Sequence, residues 1–297
     1  MLQIIVGAVS LGLLWAMMTI GVYITFRILD IADLTVEGSI AMGGSIAARA
    51  ITIGADPFTA TALALLGGMT AGLITGLLHT RLKIPALLSG ILTMIALYSI
   101  NLRIMSKANI SLLRRDTVYT FFQNLGLSRT NAIIVLGLLC VSIVVALLYW
   151  FFGTEIGCAI RATGNNPNMV RAQGINTNTT KILGLVISNG LVAVSGGLIA
   201  QSQSFSDVQM GVGSIVIGLA SVIIGEVLFG KKNFLSRLIS LVLGSVTYRI
   251  IIALVLKMGM PANDLKLFTA ITVAVALALP AIRNYLRPVK INIEEGE

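Results

Sequence analysis

A chain of 297 residues with 56% hydrophobic and only 11% charged side chains, at a mean hydropathy of +0.95, cannot coat a globule in water, since soluble domains carry roughly 25% charged residues. Its net charge of +9 does not mark a nucleic-acid binder, because the 21 basic residues are scattered between apolar runs rather than gathered on one face. Two cysteines, Cys140 in an apolar run and Cys158 in a polar loop, offer neither a disulfide framework nor metal-ligand spacing.

Apolar runs of about 20 residues, long enough to cross a ~30 Å hydrocarbon core, recur along the chain. The first, 2–26, has no basic start and no small-residue cleavage site, so it reads as a retained span rather than a cleaved leader. The second, 35–53, is rich in glycine and carries Arg49. It opens on Asp33-Leu34-Thr35-Val36-Glu37-Gly38-Ser39-Ile40, followed by Gly43, Gly44 and Ala47. Asp33 or Thr35 can cap a helix there, and the glycines allow close backbone approach. Such a broken span either packs tightly or lines the route of a polar solute, and both readings stand.

The third span, 58–78, repeats Gly68, Gly72 and Gly76 at four-residue spacing, a flat face for helix packing. His79 follows beside Arg81 and Lys83, without acidic or thiol partners nearby, and reads as an interfacial histidine rather than a ligand. The fourth span is 85–105 and the fifth 131–152, separated by a basic loop. A long polar segment, 153–181, then interrupts the apolar pattern. Ile156, Ile160, Met169 and Ala172 can supply apolar contacts for a helix laid in a partner's groove, and Arg161 and Arg171 can pair with acidic groups there. Pro167 favours a break or a helix start and Gly174 a stop, so a short helix is expected at 155–161 or onward to 171. The plainer alternative is an amphipathic helix lying in the membrane interface.

Four further spans follow at 182–201, 211–229, 235–256 and 264–285, for a total of about nine within a range of eight to ten. Glu226 lies one turn from Lys231, so a structural ion pair there, or a contact with a soluble partner, is expected ahead of a role in solute binding. Arg249 sits deeper and either lines the path or snorkels outward. With the polar segment inside, basic residues divide twelve to eight in favour of the cytoplasm, which places the N-terminus outside and the C-terminus inside. Gly38-Ser39-Ile40 and Gly43 reappear 175 residues later as Gly213-Ser214-Ile215 and Gly218. That shift lays the first span on the sixth, the third on the eighth and the fourth on the ninth. With the fifth span between them, the halves enter the membrane in opposite senses, as the inverted repeats of transporters do.

Gly157, Arg161, Ala162, Asn165, Asn166, Pro167, Ala172, Gly174, Ile175 and Asn176 resemble the cytoplasmic coupling segment of ABC importer permeases of the branched-chain amino acid and ribose type. The motif at Asp33–Ile40 is similar to the Asp-Leu-Ser-Val-Gly-Ser sequence that opens the second span of these permeases. Here Glu37 intervenes, which brings the chain closer to a less-characterised subfamily predicted to serve aromatic or other amino acids. Ser188-Asn189-Gly190, Ser195-Gly196-Gly197, Gly218-Leu219-Ala220-Ser221 through Gly225-Glu226, and Asn263-Asp264-Leu265-Lys266-Leu267 extend the resemblance over most of residues 30–285.

The resemblance implies an all-α polytopic membrane protein of one permease domain, 1–297, with repeat half 1–130, linking span 131–152, cytoplasmic coupling loop 153–181 and repeat half 182–297. It implies a bacterial cytoplasmic membrane location and a transport subunit rather than an enzyme. No catalytic, cofactor or metal site is expected on this chain, ATP and Mg residing on partner ATPase subunits; no Walker phosphate loop or nucleophile elbow is present. The other implied partners are an extracytoplasmic solute-binding protein and a second permease copy, most simply a homodimer. The coupling residues it implies are Glu155, Gly157, Arg161, Asn165, Pro167, Arg171 and Gly174. Polarity and position nominate Thr35, Ser39, Asn189, Gln201 and Ser221 for the translocation pathway. An amino acid is the expected solute. The rival readings are an ion-coupled secondary carrier and a non-transporting membrane scaffold.

Overall fold

The computed structural model describes residues 2–230 and 233–257, and beyond these only 267, 268, 270, 271, 274 and 278. In chain order, α1 (Leu2–Tyr23) runs through a π-helical turn (Ile24–Ile28) toward α2 (Thr35–Thr52), α3 (Pro57–Thr80) and α4 (Ala86–Met105). A short strand β1 (Asn109–Ser111) and α5 (Val118–Asn124) lead into α6 (Arg129–Phe152), then the helix pair α7 (Glu155–Asn165) and α8 (Pro167–Ala172). α9 (Thr177–Gln203), β2 (Phe205–Asp207), α10 (Ser214–Phe229) and α11 (Phe234–Lys257) complete the described chain.

α1 is apolar on every side, and a helix of that kind belongs inside a bundle. Leu14, Ala16, Met17, Met18 and Ile20 are fully buried, with α6, α9, α10 and α11 packed around them. α9 is the other inner helix, and the small residues of its neighbours explain why. Gly43 of α2 faces the Ala193 carbonyl, and Gly196 of α9 faces the Ile40 carbonyl, so the two backbones touch where any side chain would collide. The predicted flat face of α3 lies on the same helix: Gly68 meets Asn189, Gly72 meets Leu185 and Gly76 meets Ile182. α4 and α6 lie outermost and turn Leu87, Leu88, Leu92, Leu138, Ile143 and Leu147 outward, as lipid-facing helices do.

Helix directions alternate. α1, α3, α6 and α10 run toward the face that carries α7 and α8, whereas α2, α4, α9 and α11 run away from it. On the opposite face β1 and β2 pair antiparallel, Ile110 opposite Ser206, and α5 is held by its own capping box of Thr117 and Thr120. Tyr119 donates its hydroxyl to the Leu198 carbonyl at 3.0 Å, and Arg129 donates to the Ser202 carbonyl at 2.9 Å. The basic loop before the fifth span is thereby tied to the end of α9.

Among the described residues six helices are long and apolar enough to cross a membrane: α1 with its extension, α3, α4, α6, α9 and α11. α10, at 16 residues, extends only about 24 Å at 1.5 Å per residue, less than the hydrocarbon thickness. α2, at 18 residues, carries Glu37 and Arg49. The sequence expectation of about nine spans coincides with helices at its first eight positions; of the ninth, 264–285, only six residues are described. α2 and α10 begin beside each other, where Gly213 donates its backbone N–H to Glu37 Oε1 at 3.0 Å and Gly211 packs on the Glu37 carbonyl.

Candidate functional site

The polar segment forms two helices, split where Pro167 was expected to split them. Thr154 caps α7, its hydroxyl accepting from Gly157 N–H at 3.3 Å, and Gly157 lets the first turn sit on the Phe151 carbonyl. Asn166 caps α8 by accepting from Met169 N–H at 3.1 Å, Pro167 occupies the first helical position, and Gly174 (φ +82°) turns the chain out of it. Ile160 and Val170 are fully buried, and Thr163 meets the Thr180 hydroxyl at 2.9 Å. The pair is therefore clamped onto the bundle by one side of each helix.

The other side is open. Glu155, Ile156, Cys158, Arg161, Asn165 and Met169 are exposed. Of the four apolar residues expected to meet a partner, Ile156 and Met169 point outward at 54% and 44% exposure. Ile160 instead joins Ile28, Leu29 and Phe152 in the core, a correction whose cause is the packing of the later turns of α7 on the end of α1, where Gly164 meets the Ile28 carbonyl. Arg161 lies with its guanidinium 5.2 Å from the Phe234 ring centroid. Arg171 donates through Nε to Thr177 Oγ1 at 2.8 Å, which fastens α8 to the start of α9.

Beside α7 a groove of about 730 Å³ is lined by Tyr23, Phe26, Arg27, Asp30, Arg161, Asn165 and Arg237, among others, and its charge is predominantly positive. Arg27 reaches across it to Glu226, Nη2 to Oε2 at 2.8 Å. Among the described residues Glu226 has an ion pair with Arg27, 199 positions away; Lys231, the neighbour the sequence suggested, lies outside the described residues. It binds the end of α10 to the turn after α1, on the rim of the groove.

The five pathway candidates are all interior. Thr35, Ser39, Asn189, Gln201 and Ser221 are at most 1% exposed. Ser39 donates to Asn189 Oδ1 at 2.7 Å, and Asn189 Nδ2 donates to Asp33 Oδ2 at 2.8 Å and to the Leu185 carbonyl at 3.0 Å. Asp33, also buried, takes Thr35 N–H on its other oxygen at 2.9 Å. The Thr35, Thr75 and Thr93 hydroxyls form a relay of 2.7 and 2.9 Å that ends on the Ser89 carbonyl. Gln201 ties Val118 N–H to the Thr61 hydroxyl, and Ser221 bonds the Ile217 carbonyl of its own helix. The structure thus unites Thr35, Ser39 and Asn189 around Asp33 and leaves Gln201 and Ser221 apart.

Asn189→Leu is expected to strip one donor from a buried carboxylate and the acceptor from Ser39. The cost is about 3 kcal/mol, read as a lower melting temperature of the purified protein. An unchanged melting temperature contradicts the network.

A second cavity, of about 470 Å³, opens between α2, α4 and the connector before α10. Glu37, Met94, Ile95, Tyr98, Asn101 and Val212 form most of its wall. Asn101 is fully buried; its Nδ2 donates to the Gly38 carbonyl at 3.4 Å, and its Oδ1 has no donor among the described residues. Neither Glu37 nor Asn101 was among the nominated pathway residues, although a carboxylate inside an apolar span is itself a signal of function. Arg249, expected to line the path or snorkel, lies with its guanidinium 4.0 Å from the Trp15 ring centroid. His79 Nδ1 is 2.9 Å from the Ile84 carbonyl and its Nε2 is 3.3 Å from Lys181 Nζ, as befits an interfacial histidine.

A lipid-facing bundle that opens a cavity beside the connector into α10, a helix too short to cross alone, and that shows a helix pair to water on one side, is built to move a solute: the class is a membrane permease. A family model described as "Branched-chain amino acid transport system / permease component" matches residues 4–278, and the chain belongs to that family. It is 46% identical over 274 residues to a tyrosine transport system permease protein of Clostridioides difficile (strain R20291), covering 92% of this chain and 90% of that one. It is 33% identical over 281 residues to an uncharacterized protein of Rickettsia prowazekii (strain Madrid E), covering 93% and 98%. In fold it resembles a metal-chelate type ABC transporter in an inward-facing conformation, at a TM-score of 0.51 and 15% identity over 95% of this chain and 85% of that one.

Proposed function

We propose that this chain is the membrane-spanning subunit of an ATP-driven importer and that α7 and α8 receive its ATPase. The observation that carries this is the helix pair itself, clamped by Ile160, Thr163 and Val170 while Ile156, Arg161, Asn165 and Met169 face outward. Glu155, Gly157, Pro167, Arg171 and Gly174 act in the scheme by shaping that surface. In it, closure of two cytoplasmic ATPase subunits moves the pair, and the attached helices switch access to the pathway. ATP and Mg stay on the ATPases.

The α7–α8 face is then cytoplasmic, with the N-terminus outside and the C-terminus inside. An extracytoplasmic solute-binding protein docks on the β1–β2 face. We read the two halves as inverted repeats of a nine-span domain, supported by the opposite directions of α1 and α9 and of α2 and α10. The cavity between α2 and α4 is the route, completed by a second copy of the chain. Thr35, Ser39 and Asn189 brace its wall from behind through Asp33. The solute is an amino acid; the family description and the tyrosine permease relative support that class. Co-purification with the ATPase, followed by hydrolysis assays in the presence of loaded binding protein, tests the coupling. Stimulated hydrolysis is expected, and a permease that neither retains nor stimulates the ATPase contradicts the proposal.

A further inference from the structure

We infer that the cavity between α2 and α4 holds a site for a protonated amine, in which Glu37 and Asn101 receive the ammonium group of the passing solute and the apolar wall receives its body. The inference rests on the transport reading only in taking this cavity as the route.

At about 470 Å³ the cavity lies within the range of small-molecule sites. Its wall is chemically one-sided. Among the described residues Glu37 and Tyr98 are its ionisable side chains, and no basic one lines it. The Glu37 carboxylate offers about four acceptor positions, and the Gly213 and Ile215 N–H groups take two of them. Asn101 is held with its amide nitrogen on the Gly38 carbonyl, an acceptor that only the nitrogen can satisfy, and this leaves Oδ1 as a buried acceptor with nothing donating to it. Glu37 and Asn101 are brought together through Gly38, the residue that follows one and bonds the other. What the wall lacks, among the described residues, is a donor with positive charge.

An ammonium group supplies both. It carries three N–H bonds, and against a carboxylate its hydrogen bonds are charge-assisted. A solute that led with its own carboxylate would meet Glu37 as a like charge and Asn101 Oδ1 as a second acceptor. Met94, Ile95, Tyr98, Val208 and Val212 provide apolar and aromatic contact for the remainder of the solute. The same Glu37 caps α10, so a cation drawing on the carboxylate acts on the helix whose far end is paired to Arg27 beside the α7 groove. Capping alone is the competing role, and Glu37→Gln separates the two, since a glutamine oxygen still accepts from Gly213 N–H but carries no charge.

Two measurements test the inference. In the full-length permease with Cys140 and Cys158 replaced by serine, Ile95→Cys puts a thiol on the cavity wall. It is treated with the trimethylammonium-ethyl and the sulfonatoethyl methanethiosulfonate. The cationic reagent is expected to gain roughly tenfold over the anionic one, relative to their rates with free cysteine, and to lose that gain in the Glu37→Gln background. In proteoliposomes holding the whole transporter, the standard L-amino acids are offered one at a time. For whichever is taken up, Glu37→Gln is expected to lower uptake per ATP hydrolysed about tenfold, the loss of one charge-assisted contact. Uptake per ATP equal to wild type, or a reagent preference that Glu37→Gln leaves unchanged, overturns the site. If the wild-type complex takes up no amino acid while the reagents still discriminate, the transport reading fails and the amine site stands.

Discussion

Arg161→Glu is expected to release the ATPase from the purified permease while the permease itself stays folded. Arg161 is exposed on the outward side of α7, at the edge of a groove whose charge is predominantly positive. A partner that docks there must bring acidic groups, and reversing one charge places like against like across the interface. Such reversals cost about 2–5 kcal/mol, a weakening of roughly thirtyfold or more. Within the permease the substitution removes only the stacking of the guanidinium over Phe234, worth about 0.5–1 kcal/mol at an exposed site. The melting temperature should therefore barely move while the co-purified ATPase disappears. Retention of the ATPase at wild-type stoichiometry contradicts the assignment of this surface.

Gly43→Leu is expected to have the opposite profile, abolishing the folded permease itself. The position faces the Ala193 carbonyl, and its counterpart Gly196 faces the Ile40 carbonyl, so α2 and α9 are in contact backbone to backbone. No flexible side chain can yield there; one helix must move, and α9 is also held by α1 and α3. Overpacking a close-packed site costs about 1–3 kcal/mol and more where the backbone must shift. Gly7→Ala is the matching control, because nothing among the described residues lies within 4 Å of the added methyl. It should be neutral or stabilising by up to about 1 kcal/mol through helix propensity. Thermal melting in detergent compares the three proteins, and a Gly43→Leu permease that melts with wild type removes the close crossing from the account.

The apolar pattern carried the architecture well, because helix ends are set by local chemistry that sequence displays directly. Pro167 and Gly174 bound α8, Asn166 and Thr154 cap the helix pair, and the three glycines of α3 lie against α9. Pairings between distant elements were not legible. Proximity in sequence offers Glu226 only Lys231, which lies outside the described residues, whereas Arg27 reaches it because the turn after α1 and the end of α10 meet in space. Helix facing was equally hidden. Polarity alone cannot tell a residue on a cavity wall from one sealed between helices, since a hydroxyl or amide in a span is satisfied either way. Thr35, Ser39 and Asn189 are sealed around Asp33, whereas Glu37 and Asn101, one turn or one helix away, line an opening. The segment 153–181 was visible as polar, but which of Ile156 and Ile160 faces a partner depended on the packing of α7 against the end of α1.

The central claim is that this bundle moves a solute by borrowing ATP hydrolysis through α7 and α8. It is tested most directly by amino-acid uptake into proteoliposomes holding the permease, its ATPase and the binding protein, with ATP or an imposed proton or sodium gradient as the alternative energy source. Accumulation that requires ATP on the α7–α8 side and is lost with Arg161→Glu is the predicted result. Accumulation by the permease alone under an ion gradient, without the ATPase, would contradict it.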